Sequence, residues 1–176
     1  MASRTVAIRC GFSALSLSEV ARQAGVSKGG LFHHFEDKQT LLSALYLDCF
    51  EKMLTGIGEL QAADPLFHGR FSRSYVAYIA SLGPGEEGRL LASLVGAVSE
   101  SPELQKMRDA WLNSMLAEAS DFDHSAEGAL IRLAADGLWL TEQIHSPLAG
   151  PHTHEALVRY LTMMTLPASP GGSDTD

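Results

Sequence analysis

Lys28, Phe32, His33 and His34 fall within seven residues, preceded by Ser27 and accompanied by Gly29 and Gly30. A cation, two imidazoles and an aromatic ring at that density suit recognition of phosphates and base edges, where a positive charge neutralises the backbone and N–H donors read the groove. The glycines let a helix approach a groove closely, at a helix-propensity cost of about 1 kcal/mol each. A His-His pair also suggests a metal. Neighbours in a helix, however, point about 100° apart, and no further ligand lies in sequence reach, so no metal is expected. The chain has no P-loop, Gly-x-Ser-x-Gly, His-Glu-x-x-His or cysteine-ligand cluster, so neither an enzyme nor a cofactor is expected.

The elements that must position these residues are helices. Apolar residues recur at spacings of three and four throughout, and convincing strand alternation is absent, so the chain is expected to be all-α. Gly11 ends a short first helix. Ser16 followed by Glu19 is a Ser-x-x-Glu capping box opening a second helix over Leu17 to Ala24. Gly25-Val26-Ser27 makes a tight turn, Ser27 caps a third helix from Lys28 to Phe35, and Asp37 caps a fourth from Lys38 to near Ala62. Val20, Ala21, Val26 and Leu31 are the expected apolar contacts fixing the angle between the second and third helices. Further helices are expected near 67–82, 86–100, 102–120, 125–146 and 152–166. The breaks between them fall at Gly83-Pro84-Gly85, Ser101-Pro102, Asp121-Phe122-Asp123 and Pro147 to Pro151. Residues 167–176 read as a flexible tail.

Two short helices joined by a glycine-containing turn form a helix-turn-helix, whose second helix enters the major groove. The net charge of −8 argues at first against a nucleic-acid partner, but it is unevenly distributed. Residues 1 to 38 carry Arg4, Arg9, Arg22, Lys28 and Lys38 against Glu19, Glu36 and Asp37, a net of +2, which leaves −10 on the remainder. An acidic body with a slightly basic head is compatible with DNA binding through the head alone. The 45% hydrophobic content contains no run of about 18 apolar residues, so no membrane span is expected. Cys10 and Cys49 make no disulfide or metal pattern, and the first residues lack the character of a signal peptide, so a cytoplasmic location is expected.

The block Gly25-Val26-Ser27-Lys28-Gly29-Gly30-Leu31-Phe32-His33-His34-Phe35 with Lys38 behind it, within residues 11 to 47, closely resembles the DNA-binding domain of the TetR family of regulators. The resemblance implies that Lys28, Gly30, Phe32 and His33 occupy places that meet base edges or the sugar-phosphate backbone. Ser16, Ser18, His34 and Lys38 match phosphate-contacting places. Phe35 reads instead as core between the helices. Only ten residues precede Gly11, a shorter lead-in than the family usually carries. Since the first helix buttresses the recognition helix, a shortened one leaves open an alternative: a dimerising interaction protein with weak DNA binding.

Pro102-Glu103-Leu104 with Arg108, and the segment Arg132 to Leu140, look like parts of the family's C-terminal domain, whose last two helices typically pair with their copies in a second subunit. The 126–144 helix is apolar on more than one face, more than one subunit's core absorbs. Leu130, Leu133, Ala134, Leu138, Leu157, Leu161 and Met164 are the expected dimer contacts, forming an intersubunit four-helix bundle. Phe67, His68, Phe71, Tyr75, Tyr78, Met107, Trp111 and Met115 are candidates to line a largely apolar ligand pocket. The expected organisation is a DNA-binding head at 1–46, a ligand-binding and dimerisation body at 47–166, and the tail. The expected activity is that of a regulator, a repressor, that binds a near-palindromic double-stranded operator as a homodimer and is released by a small, apolar effector.

Overall fold

The computed structural model describes residues 2–11, 15–145 and 152–168, and among them there are helices and no strand. In chain order these are α1 (Ala2–Cys10), α2 (Leu17–Ala24), α3 (Lys28–His34), α4 (Lys38–Ala63), α5 (Arg70–Leu82), α6 (Glu86–Glu100), α7 (Pro102–Leu116), α8 (Asp121–His124), α9 (Ala126–Gln143) and α10 (His154–Met164). The expected break at Pro147 to Pro151 and residues 169–176 of the expected tail lie outside the described residues.

Local chemistry explains most of the boundaries. Ser27, Ser125 and Thr153 each accept a hydrogen bond from the backbone N–H three residues on, at 3.0, 3.1 and 3.1 Å, filling one of the donors that a helix start leaves open. α5 begins at Arg70 rather than 67 because Gly69 is left-handed, with φ +66°, and cannot sit inside an α-helix. α7 stops at Leu116, short of the expected 120. The Asp121-Phe122-Asp123 segment, expected as a break, is the one-turn helix α8, closed by a capping box between Ser120 and Asp123.

The chain packs as two units, Met1–Thr55 with Leu82–Ser114, and Gly56–Ser81 with Met115–Asp176. α4 runs unbroken through the expected head–body boundary at 46/47. In the first unit α1 packs on α2 and α6, and α2 on α3. Its core includes Val6, Ala7, Leu15, Val20, Ala21, Leu31, Leu41, Leu45, Tyr46, Leu90, Leu94 and Leu104. A fully buried leucine contributes roughly 1.5–3 kcal/mol, so this core is what fixes α1 to α3 as a body. Arg4 on α1 adds ion pairs to Asp48 of α4 and Glu87 of α6.

The second unit holds α9 between α8 and α10 and is knitted by buried polar groups. Asp123 accepts the Ser72 backbone N–H at 2.8 Å and the Ser120 hydroxyl at 2.6 Å. Burial alone would raise its pKa, but these bonds hold it below the ordinary aspartate range. Arg73 donates to the Asp64 carboxylate at 2.7 Å and to the carbonyls of Leu66, His68 and Thr165 at 2.6, 2.7 and 3.1 Å. It thereby ties the loop before α5 and the end of α10 to α5. The Tyr75 hydroxyl donates to Asp136 at 2.7 Å, and burial raises the Asp136 pKa.

Candidate nucleic-acid interface

The recognition element is built from three local devices. Ser16 accepts the Glu19 N–H at 3.2 Å and starts α2. The reciprocal arm of the expected capping box is taken elsewhere: the Glu19 carboxylate is held by Arg22, at 2.6 and 2.9 Å, and by Arg9. The hydrogen bond from Arg22 is the main cause of its lowered pKa. Gly25 then turns left-handed at φ +68°, the Val26 N–H reaches the Ala21 carbonyl at 3.1 Å, and α2 is closed. Ser27 starts α3 immediately afterwards.

Val20, Ala21 and Leu31 are buried as expected of the helix-turn-helix contact, but Val26 is not, being 48% exposed. The turn uses its backbone N–H to cap α2 and leaves its side chain outside. Phe35 is half-buried and packs on the first unit's core, in line with its core reading.

α3 has one inward residue, Leu31. Lys28, Gly29, Gly30, Phe32, His33 and His34 are all exposed, as are Ser16, Ser18, Ser27 and Lys38. Lys28 Nζ stands 5.6 Å from the Phe32 ring centroid, and the His33 and His34 rings meet edge to face at 5.9 Å. A Cβ added at Gly29 would meet nothing within 4 Å, so no neighbour inside the chain requires glycine there. Lys38 opens α4 beside Asp37, whose carboxylate accepts the Thr40 N–H at 2.7 Å, which lowers its pKa.

The candidate pocket residues are divided between the units. In the second, Phe71 is fully buried and meets Tyr75 at 6.0 Å, His68 lies 4.8 Å from Phe122, Phe67 is exposed under Arg70, and Tyr78 and Met115 are half-buried. In the first, Met107 and Trp111 are half-buried, with Trp111 edge-on to Phe50 at 4.9 Å. An apolar crevice among α5, α9 and α10 is lined by none of these eight residues.

Of the candidate dimer contacts, Leu138 is buried in its own unit, and Leu157 and Leu161 are half-buried. Leu130 and Leu133 are 64% and 65% exposed, and Ala134 and Met164 are also exposed. Ile144 and Tyr160, which the sequence reading did not single out, are exposed as well, as are Leu140 and Met163. On α9, Leu130, Leu133 and Leu140 follow helical spacing along the face opposite Ile131, Ala135 and Trp139, and Ile144 caps the end of the helix.

A short exposed helix held by a single inward leucine behind a glycine turn defines a helix-turn-helix protein. Two family models specify the class further. One described as bacterial regulatory proteins of the tetR family matches residues 2–45, and one described as the tetracyclin repressor-like C-terminal domain matches residues 69–166. The chain belongs to the TetR family of bacterial transcriptional regulators. Over 44 residues it is 41% identical to the Transposon Tn10 TetC protein of Escherichia coli, a match spanning 25% of this chain and 22% of that protein. Among solved structures, a transcriptional regulator of Rhodococcus sp. Rha1 superposes with a TM-score of 0.67 at 24% identity, over 93% of this chain and 90% of that one. The multidrug binding protein EbrR, complexed with imidazole, gives 0.63 at 21% identity over 96% and 93%. At these identities the likeness concerns the fold. No helix among the described residues is long and apolar enough to cross a membrane.

Proposed function

We propose that this regulator binds a near-palindromic operator as a homodimer, with residues 1–46 as the reading head and 47–166 as the effector-binding and dimerising body. The observation that carries the reading is α3, whose six outward residues are those a groove-reading helix presents. Lys28 and His33 address base edges or backbone. Ser16, Ser18, His34 and Lys38 contact phosphates, Ser16 from a helix N-terminus where the macrodipole favours an anion. The dimer is supported by the exposed apolar stripe of α9, about 15 Å from Leu130 to Leu140 at 1.5 Å per residue, with Ile144 at the end of the helix and Tyr160, Met163 and Met164 of α10 adding to the apolar surface. The alternative, an interaction protein with a defective head, gains nothing from α1, whose Val6 and Ala7 are fully buried.

The regulatory step follows from linkage. An effector held better by the subunit arrangement whose heads do not match successive major grooves weakens DNA binding, and DNA weakens effector binding by the same factor. The reading is repression relieved by a small, largely apolar molecule, in keeping with the small-molecule binding of the structurally similar EbrR.

Gly29→Ala tests the head. The added methyl meets no protein atom, so removing a helical glycine stabilises the fold by about 0.5–1 kcal/mol. The same methyl obstructs the groove, and affinity for the protein's own promoter DNA is expected to fall about tenfold, which corresponds to about 1.4 kcal/mol. A more stable variant that binds the promoter as tightly as the wild type contradicts the placement of α3.

A further inference from the structure

α3 leaves one large apolar side chain in the open. Leu31 is the inward residue of the helix, whereas Phe32 is 40% exposed among the outward Lys28, His33 and His34. Among the described residues up to 46, Val26 in the preceding turn is the only other large hydrophobic residue so exposed. A single exposed apolar residue is commonplace on a protein surface and carries no meaning by itself. The surroundings of Phe32 set it apart. Lys28 and Phe32 stand four residues apart on one helix face, and the Lys28 ammonium lies over the ring, 5.6 Å from its centroid. A helical side chain covers the turn before its own Cα, which for Phe32 is the turn of Lys28 and Gly29. Gly29 supplies no side chain to shield the ring, and a Cβ there would meet nothing within 4 Å. The ring is thus engaged by a cation and bordered by bare backbone, over the N-terminal turn through which a recognition helix meets base edges.

A phenyl ring brings no conventional hydrogen-bond donor or acceptor, so Phe32 can neither hold a phosphate nor read an amino or carbonyl group. One base offers an apolar feature in the major groove: thymine, through its 5-methyl group, against which a phenylalanine ring packs. We propose that Phe32 is a specificity-determining residue that seats the methyl group of a thymine in each half of the operator, with Gly29 leaving room for the base to approach. This rests on the reading of α3 as a groove-entering helix and narrows what that helix reads.

The experiment uses promoter DNA in two forms, one ordinary and one in which deoxyuridine replaces thymidine, so that every pairing edge is kept and the methyl groups are removed. Affinities of the full chain for both forms are measured for the wild type, Phe32→Ala and Phe32→Leu, with thermal melts to show that the variants keep the fold, as expected for a largely outward side chain. Burying one methyl group corresponds to about fourfold in affinity, so the wild type is expected to prefer the thymine form by about fifteenfold when both heads of a dimer are engaged. Phe32→Ala is expected to bind the two forms nearly alike, and Phe32→Leu to keep an intermediate preference. Equal binding of the two forms by the wild type overturns the assignment, because no methyl group is then read. The same preference in all three proteins overturns it as well, because another residue or the altered shape of the duplex is then responsible. Specific binding without a thymine preference removes only the role of Phe32, whereas absence of specific binding by the wild type even to the thymine form removes the regulator reading itself.

Discussion

Leu130→Asp combined with Leu133→Glu is expected to yield a folded monomer that has lost most of its affinity for promoter DNA, if the homodimer proposed above forms through α9. Both leucines are nearly two-thirds exposed in the single chain, so replacing them removes little burial, and the fold's stability is expected to change by no more than about 0.5 kcal/mol per site. Across the two-fold axis of the proposed homodimer each substitution appears twice, so four carboxylates would enter the proposed apolar interface. Losing the second head removes the bivalent advantage, which for linked sites is about 10²–10⁴ in affinity. Sedimentation velocity reads the association state and promoter binding reads the consequence. A double variant that remains dimeric places the interface elsewhere. Leu138 is the internal control: buried against its own unit, its replacement by Ala is expected to destabilise the fold itself.

Arg73→Ala is expected to cost about 3–5 kcal/mol of stability, because it removes a buried guanidinium with several hydrogen bonds and leaves the half-buried Asp64 carboxylate without its cation. The carbonyls of Leu66, His68 and Thr165 lose their donor in the same substitution. A melting point lower by about 10 °C is the readout for a chain of this length. Arg73→Lys is expected to recover only part of the loss, since one ammonium cannot reproduce the planar spread of guanidinium donors. A variant within 1 °C of the wild type would show that the network is replaceable. The acid limb of stability has the same origin. Burial would raise the Asp64 and Asp123 pKa values, but bonds from Arg73, and from Ser120 and Ser72, bring them below the ordinary 3.8. Their contribution is therefore complete above that value and lost as the pH falls through the lowered ones. Asp136, raised by burial, acts in the opposite sense, its protonation on acidification favouring the fold.

Both predictions rest on features of very different legibility. The head was readable because its determinants are local: Ser16 and Ser27 lie three residues from the N–H groups they cap, and Gly25 is where a left-handed residue is needed. Leu31 as the inward residue of α3 follows from the same short spacing. Val26 lies outside the contact its spacing predicts, because spacing does not reveal that a turn residue contributes its backbone while its side chain stays outside. α8 hides in the sequence because two aspartates beside a phenylalanine look like loop, although Ser120 and Asp123 have the spacing of a capping box. The body resisted for a physical reason. Arg73 meets Thr165 across 92 residues, Arg4 meets Glu87 across 83 and Tyr75 meets Asp136 across 61, pairings that no local pattern encodes. The apolar surplus of α9 was legible, but which leucines face inward depends on where α8 and α10 pack.

Binding of the purified protein to DNA from its own promoter region, at two salt concentrations and beside a Lys28→Ala, His34→Ala double variant, tests the central claim most directly. The account predicts specific binding by the wild type that weakens steeply as salt rises and is lost in a folded, dimeric variant, because phosphate neutralisation releases counterions and α3 carries the contacts. Equal binding by the two proteins, or no specific binding by a well-folded wild-type dimer, would contradict it.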